Sequence, residues 1–385
     1  MKNNLNFKII GSGPTGMLLA ISLSKLNLNI YITDLLTREK LVNKDKTYAI
    51  THSSKKILSK FNLWDKLKPY LFEFDSLSIS DNVINDYTIL TISDLDKDIS
   101  SLNTIGWVVK HSDLMNVFFN EINNINNILF NSSLDSFDKN ILFDYEFIAT
   151  GANSNYKKNH NYLDIKKSYN QSCLTFEVLV RGNIHRRAYE IFRKEGPLAL
   201  LPLDSKRYQI IWTASTSKSI DRLNASNSFL LDNLSTIMPD NLKLDQIVSD
   251  INIFPVSLSL RLPNFNFNRV LFVGDSFHTF HPVGGQGLNT CWRDVNDLYD
   301  IFNRDKIISR NNLNTFKFKY FFKRFFDILS TIIVTDLLIR FFANKNLILL
   351  PIRKFSFLLL NKSKIIRKII LNHMTKSLIF SSIKY

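Results

Sequence analysis

An apolar run at residues 7–10 leads into Gly11-Ser-Gly-Pro-Thr-Gly16, and residues 17–26 are apolar at helical spacing. A second short apolar run, residues 30–33, stops at Asp34. Strand, glycine turn, helix and strand in this order form the opening unit of a doubly wound parallel sheet. Residues 55–67 have helical periodicity, and Ser54 stands where a cap is needed. From 76 to 92 apolar and polar residues alternate, as in half-buried strands. A strand at 107–109, a helix at 113–125 and a strand at 140–149 ending in Thr150-Gly151 follow. Between 174 and 253 the period is two, with strands expected at 174–180, 197–203 and 208–213, which marks a second, mostly antiparallel sheet. An apolar run at 269–273 then enters Gly274-Asp275, a glycine-rich loop and a helix over 288–302. Residues 311–385 are helical in pattern. The fold class predicted is α/β: a Rossmann-like nucleotide-binding domain, an inserted, mostly antiparallel sheet, and a C-terminal helical region.

Composition narrows the picture. Over 385 residues, 45% hydrophobic and 22% charged content belongs to a globular protein of two or three domains, not a disordered or collagen-like chain. Cys173 and Cys291 are too few for a disulfide framework or a cysteine zinc site, so a reducing, intracellular compartment is expected. The N-terminal residues lack a signal-peptide apolar core.

The charge is unevenly spread. Lys and Arg number 49 against 34 Asp and Glu, a net of +15, yet residues 301–385 hold 17 cations against Asp305, Asp327 and Asp336, a net of +14. A nearly neutral body with a basic tail asks for an anionic partner, membrane or nucleic acid. Residues 325–342 come nearest to a spanning helix, but Asp327, Asp336 and Arg340 interrupt them.

Two glycine-rich segments carry candidate chemistry. In the first, Gly11 permits a tight turn, Gly13 lets the backbone approach a pyrophosphate, and Gly16 allows close packing of helix on strand. Pro14 and Thr15 open the helix, whose free amides favour an anion. Asp34, 18 residues past Gly16 at the end of the second strand, is placed to accept bonds from a ribose diol. In the second, Gly274-Asp275 puts a carboxylate at a strand end, within reach of a polyol chain. The loop of Pro282, Gly284, Gly285, Gly287, Leu288 and Asn289 then presents a helix N-terminus to an anion. A reduced flavin, negative near N1 and O2, fits that description.

These two segments together resemble the class A flavoprotein hydroxylases. Gly274, Asp275, His278, Pro282, Gly285, Gln286, Gly287, Asn289 and Asp294 stand in step with the second FAD motif of that superfamily. The form His278-x-x-His281-Pro-x-x-Gly-Gln-Gly-x-Asn with Arg293-Asp294-Val295 is most similar to the UbiH-type branch, the ubiquinone-biosynthesis hydroxylases. Thr47-Tyr-Ala-Ile50 with Leu63-Trp64, the run Gly196 to Leu203, Ile211-Trp-Thr213, and Asp336, Arg340, Phe342 and Asn344 resemble further segments of that branch.

The resemblance implies an FAD-binding domain at 1–75, 107–172 and 266–310, a substrate domain at 76–106 and 173–265, and a basic helical region at 311–385. FAD would be reduced by NAD(P)H or another external donor, bind O2 as a C4a-hydroperoxide and deliver oxygen to an electron-rich phenol ring. By carry-over Gly11, Gly13, Pro14, Thr15, Gly16 and Asp34 hold the ADP half, and Asp275 holds the ribityl chain. Pro282, Gly284, Gly285, Gly287, Leu288 and Asn289 surround the ring system, with Lys46 and His111 nearby. Lys46 stands where the branch commonly has Arg, His111 where Arg or Asn is usual, and Thr150 where the motif G-A-D-G-x-x-S has Asp; here that motif continues through Gly151 to Asn153 and Ser154.

No catalytic base is named. His278 and His281 are expected to be structural, Cys291 and Trp292 to be core, and Tyr208 and Trp212 to pack rather than line a ring pocket. The tail interleaves cations with aromatics at 317–326 and has a second cluster at 362–368, which suits a helix on an anionic membrane. The partners expected are a polyprenylated phenol or other quinone precursor, the membrane surface, and a possible quinone-biosynthesis complex, with no nucleic acid. The location expected is cytoplasmic, peripheral to the inner membrane. An FAD monooxygenase for another apolar aromatic or alkene, and a catalytically silent flavoprotein scaffold, stand as alternatives.

Overall fold

The computed structural model describes residues 5–96, 102–132, 141–152, 163–182, 186–262, 269–304, 313–343, 346 and 348–376. The opening unit builds a five-stranded, wholly parallel sheet in the order Val270–Phe272, Tyr145–Ile148, Asn6–Ile10, Asn29–Thr33, Ile128–Asn131. One face of its strands is fully buried through Phe7, Ile9, Ile30, Ile32 and Phe147, while Lys8, Tyr31 and Glu146 on the other face are half-buried. The helix Pro14–Ser24 is buried from Gly16 to Ser24, because it lies between the sheet, the helix His111–Ile122 and the helix Gln286–Arg304. That position suits its apolar character on every side.

A nine-stranded sheet forms the second layer system. Its path is His278–Thr279, Asn252–Arg261, Asp164–Gly182, Arg207–Ser215, Leu198–Pro202, Arg187–Phe192, Ser76–Asp81, Asp86–Thr91, with Leu242–Ile247 also paired to Asp164–Gly182. Pairing is antiparallel except between Arg187–Phe192 and Ser76–Asp81. The expected strand at 174–180 is the far end of a 19-residue strand that begins at Asp164. Its polar first half hides the strand signal, and a register shift between Ser168 and Gln171, with Asn170 at φ 52°, breaks the alternation. A small antiparallel sheet of Thr47–Ile50, Gly106–Lys110 and Phe72–Phe74 bridges the two.

The expected helix at 55–67 is two helices, His52–Lys60 and Trp64–Leu67, separated where Asn62 turns to φ 61°. Its cap is Thr51, whose hydroxyl accepts the Ser54 N–H; Ser54 lies inside the first turn. The tail forms Leu313–Phe342, Leu349–Lys362 and Lys364–Lys376. Among the described residues, no helix is long and apolar enough to cross a membrane.

The segment 317–326 does not lie on the surface with all its cations outward. Phe316, Lys317, Tyr320 and Arg324 turn into the body. Arg324 bonds Asp294 at 2.6 Å, Asp327 at 2.7 Å and Asp297 at 3.1 Å, and Arg293 bonds Asp327 at 2.9 Å. Burial alone would raise the Asp327 carboxyl, but Arg293 and Arg324 outweigh it and hold it well below the usual range. A second pin is the fully buried Arg353, which donates to the carbonyls of Phe341 and Phe342 at the end of the long helix and lies 3.4 Å from Asp81. Asn153, Ser154 and Asn344, and the start of the strand expected from residue 140, lie outside the described residues.

Candidate active site

The first glycine turn is fixed by sterics. Gly11 has φ +104°, and a Cβ there would meet Ala149 O at 2.5 Å; at Gly16 a Cβ would meet Gly11 O at 1.9 Å. At Gly13 a Cβ would meet nothing within 4 Å, so the turn leaves open space there in front of a helix that has no side-chain cap. Pro14, without an N–H, opens that helix, and Thr15 packs beside Gly274. Asp34 Oδ2 accepts from Ser12 N–H at 2.7 Å and from its hydroxyl at 3.0 Å, and Oδ1 accepts from Leu36 N–H at 3.0 Å. The carboxylate therefore braces the turn as well as marking the strand end. Beside Gly11, Thr150 Oγ1 is buried with no hydrogen-bond partner among the described residues. An open cradle of backbone and an orphaned hydroxyl at its edge fit the ADP half of FAD.

The second loop approaches from the other side. Gly274, at φ +66°, donates its N–H to Asp294 at 2.9 Å, and His278 donates to the same carboxylate at 2.7 Å. Both histidine and aspartate are thus structural, and Cys291 packs beneath with its thiol 3.3 Å from Asp275. Gly284 and Gly285 have φ of 71° and 62°, conformations that favour glycine. Asn289 holds the loop: its carbonyl accepts from Thr51 N–H at 3.0 Å and from Ser54 at 2.6 Å, and its amide donates to Ala49 O at 2.8 Å and Gly285 O at 2.9 Å. Protein groups engage both ends of that side chain, so Asn289 serves as a pin and not as a free ligand group.

A cavity of about 330 Å³ lies between this loop and the nine-stranded sheet. Lys46, Asp275, Pro282, Gly285, Gly287 and Leu288 line one side; Cys173, Thr175, Leu201, Gln209, Ile211 and Phe254 of the nine-stranded sheet line the other. Pockets of this size, mostly apolar with few polar groups, suit a small aromatic. Burial lowers the Lys46 ammonium, opposed by the Asp275 carboxylate, and the ammonium lies 4.7 Å from the Phe254 ring centre.

His111 is not at the cavity wall. Its Nε2–H donates to Leu41 O at 2.7 Å, so its Nδ1 accepts from the Tyr48 hydroxyl at 2.8 Å. Burial pushes it down to about 4, so it is neutral, and it acts by orienting Tyr48, which does line the cavity. His281 also lines the cavity, is lowered to about 4 by burial, and bonds Gln171 at 3.2 Å. The Tyr169 ring stands edge-on to it, and Tyr169 donates to Asp336 of the tail at 2.9 Å.

Tyr208 and Trp212 are fully buried in the core on the opposite face of the sheet; Gln209 and Ile211, one position out of step, face the cavity instead. Trp292 is likewise core. Sequence reasoning missed Tyr48, Gln209 and Glu190. Gln209 accepts the Thr47 hydroxyl at 3.0 Å. Glu190, in a strand otherwise apolar on its inward positions, touches the Gly284 N–H at 3.4 Å, and burial pushes its carboxyl up to about 7. An acid at an inward strand position was the available signal.

Glycine cradle, second glycine loop and an apolar chamber between sheet and loop fit an FAD-dependent monooxygenase. Residues 165–303 match the FAD binding domain family. The chain is 29% identical over 310 residues to the uncharacterized protein slr1300 of Synechocystis, covering 76% of this chain and 73% of that one. It is 21% identical to the mitochondrial ubiquinone biosynthesis monooxygenase COQ6 of Dictyostelium discoideum, covering 94% of this chain and 89% of the relative. The structure of Klebsiella pneumoniae HpxO complexed with FAD and uric acid has the same fold, with a TM-score of 0.72 at 13% identity, covering 98% of this chain and 97% of that one.

Proposed function

We propose that the protein hydroxylates the aromatic ring of a polyprenylated phenol, a precursor of ubiquinone. The observation that carries this reading is the shared cavity, in which the glycine loop 282–288 faces an apolar wall of the nine-stranded sheet. Gly13 and the amides of the Pro14–Ser24 helix would receive the pyrophosphate of FAD, Asp275 its ribityl chain, and the amides of the 284–288 loop the ring system. Bound and reduced, FAD supplies the activation of O2. The balance is one ring C–H, O2, NAD(P)H or an equivalent two-electron donor and a proton going to one ring C–OH, water and the oxidised donor.

The chain's own residues have defined tasks. Leu201, Ile211, Phe254 and Phe280 exclude water around the ring. Tyr48 donates its one hydroxyl proton to His111, so its oxygen would accept from a phenol hydroxyl, while Gln209 is held in the wall by Thr47 and the Phe176 carbonyl. Relatives named as a ubiquinone biosynthesis monooxygenase and as ubiquinone hydroxylases support the substrate class. Such a substrate partitions into the bilayer, so we place the enzyme at the surface of the inner membrane, beside other enzymes of quinone synthesis. Rescue tests the reading: in cells lacking a quinone-ring hydroxylase, the gene should restore quinone and remove the accumulated phenol. Purified protein that holds FAD yet rescues no such strain would overturn it.

A further inference from the structure

The helices Leu349–Lys362 and Lys364–Lys376 contain seven Lys and Arg and no Asp or Glu. Their inner sides are seated on the body: Arg353, Phe357, Leu371 and Thr375 are buried. Arg367 bonds Asp94 at 3.0 Å, and Lys368 and Lys376 bond Asp96 at 2.9 and 2.5 Å. Their outer sides are not those of an ordinary solvated helix. Ile352, Phe355, Leu358, Leu359, Ile365 and Ile369 are exposed, Phe355 by 57% and Ile365 by 72%.

Lys354, Lys362 and Lys364 stand exposed among them, with no ion pair among the described residues. Scattered exposed apolar residues need no explanation, but a run of six interleaved with unpaired cations does. Aliphatic side chains at a surface gain by entering an acyl layer, and each nearby lysine gains from an anionic headgroup surface.

We propose that this outer face docks on an anionic lipid bilayer. Charge complementarity selects that occupant. A second copy would bring one all-basic face against another. Nucleic acid would use stacked rings, and Phe355 is the only aromatic among the exposed apolar residues of these two helices.

The docked face is one helix away from the cavity. Gln286, at the start of the helix after the glycine loop, donates to Met374 O at 3.0 Å, and Met374 packs 3.8 Å from the position of a Gly284 Cβ. Docking therefore sets the flavin loop behind the membrane-facing helices. The segment 317–326, which the charge pattern marked first, contributes less, since Lys317 and Arg324 are turned inward. This docking stands independently of the substrate proposed above.

Vesicle co-sedimentation of the full FAD-loaded chain tests it. The protein should bind vesicles of phosphatidylcholine doped with phosphatidylglycerol and largely ignore phosphatidylcholine alone, with binding weakened by salt. The triple variant Lys354→Glu, Lys362→Glu, Lys364→Glu should bind tenfold or more weakly at unchanged flavin content and melting temperature. Ile352→Ser with Phe355→Ser should also weaken binding while its salt dependence remains. A wild-type chain that stays in the supernatant, or a triple variant that binds as well as wild type, overturns the proposal. So does a light-scattering dimer abolished by the same changes, or single-stranded DNA binding that is lost in the lysine variant while vesicle binding is kept.

Discussion

At the scale of the residue, the glycines separate into two kinds. Gly16 has no room for a side chain within the protein itself, whereas Gly13 faces open space. Gly16→Val should therefore lower the melting temperature of the flavin-free protein and lose FAD, while Gly13→Leu should melt like wild type without FAD and fail to retain it. Flavin absorbance per protein after gel filtration, with thermal melts, distinguishes the two. Glu190 gives a pH-dependent prediction. Its folded carboxyl, pushed up to about 7, stays protonated in a range where the unfolded carboxyl is ionised. Its contribution is thus full below the unfolded value near 4.5 and is lost as pH rises through about 7. Because the side chain keeps partial exposure, Glu190→Gln should gain about 1–3 kcal/mol relative to wild type between pH 5 and pH 8, read from urea unfolding. An unchanged difference at the two pH values would contradict the burial argument.

At the scale of the element, the parallel sheet and its glycine turn were legible because strand, turn and helix each carry a steric requirement. The elements misjudged are those where tertiary contacts overrode local pattern. The strand Asp164–Gly182 begins in polar residues, and only pairing with Asn252–Arg261 holds its first part, Asp164 to Ser168, in the sheet. Helix 55–67 broke at Asn62, whose positive φ no periodicity announces. The long tail helix Leu313–Phe342 has cations spaced for a surface, yet Arg324 is drawn in by three carboxylates. Removing one member of a buried charged group strands the others. Arg324→Met should destabilise the protein by about 3–5 kcal/mol in chemical denaturation, whereas the exposed Lys354→Met should change little.

At the scale of the whole molecule, the nine-stranded sheet, the strand Thr47–Ile50 and the second glycine loop meet at one cavity. The nucleotide-binding half of the site was readable, since glycines and a strand-end acid are local features. The ring-facing half was not: Tyr48 and Gln209 come from strands in two different sheets, and only the assembled fold brings both to one cavity. His111 was placed near the ring by resemblance but works through Tyr48, a relation that needs a contact and not a spacing. The central claim is oxygen insertion into a phenol ring within that cavity. The most direct measurement supplies the purified FAD-loaded protein with reductant, a prenylated phenol and isotopically labelled O2, then identifies the product by mass spectrometry. One labelled oxygen atom in the ring hydroxyl is the predicted result; reductant oxidised with the phenol unchanged, or a hydroxyl oxygen drawn from water, would contradict it.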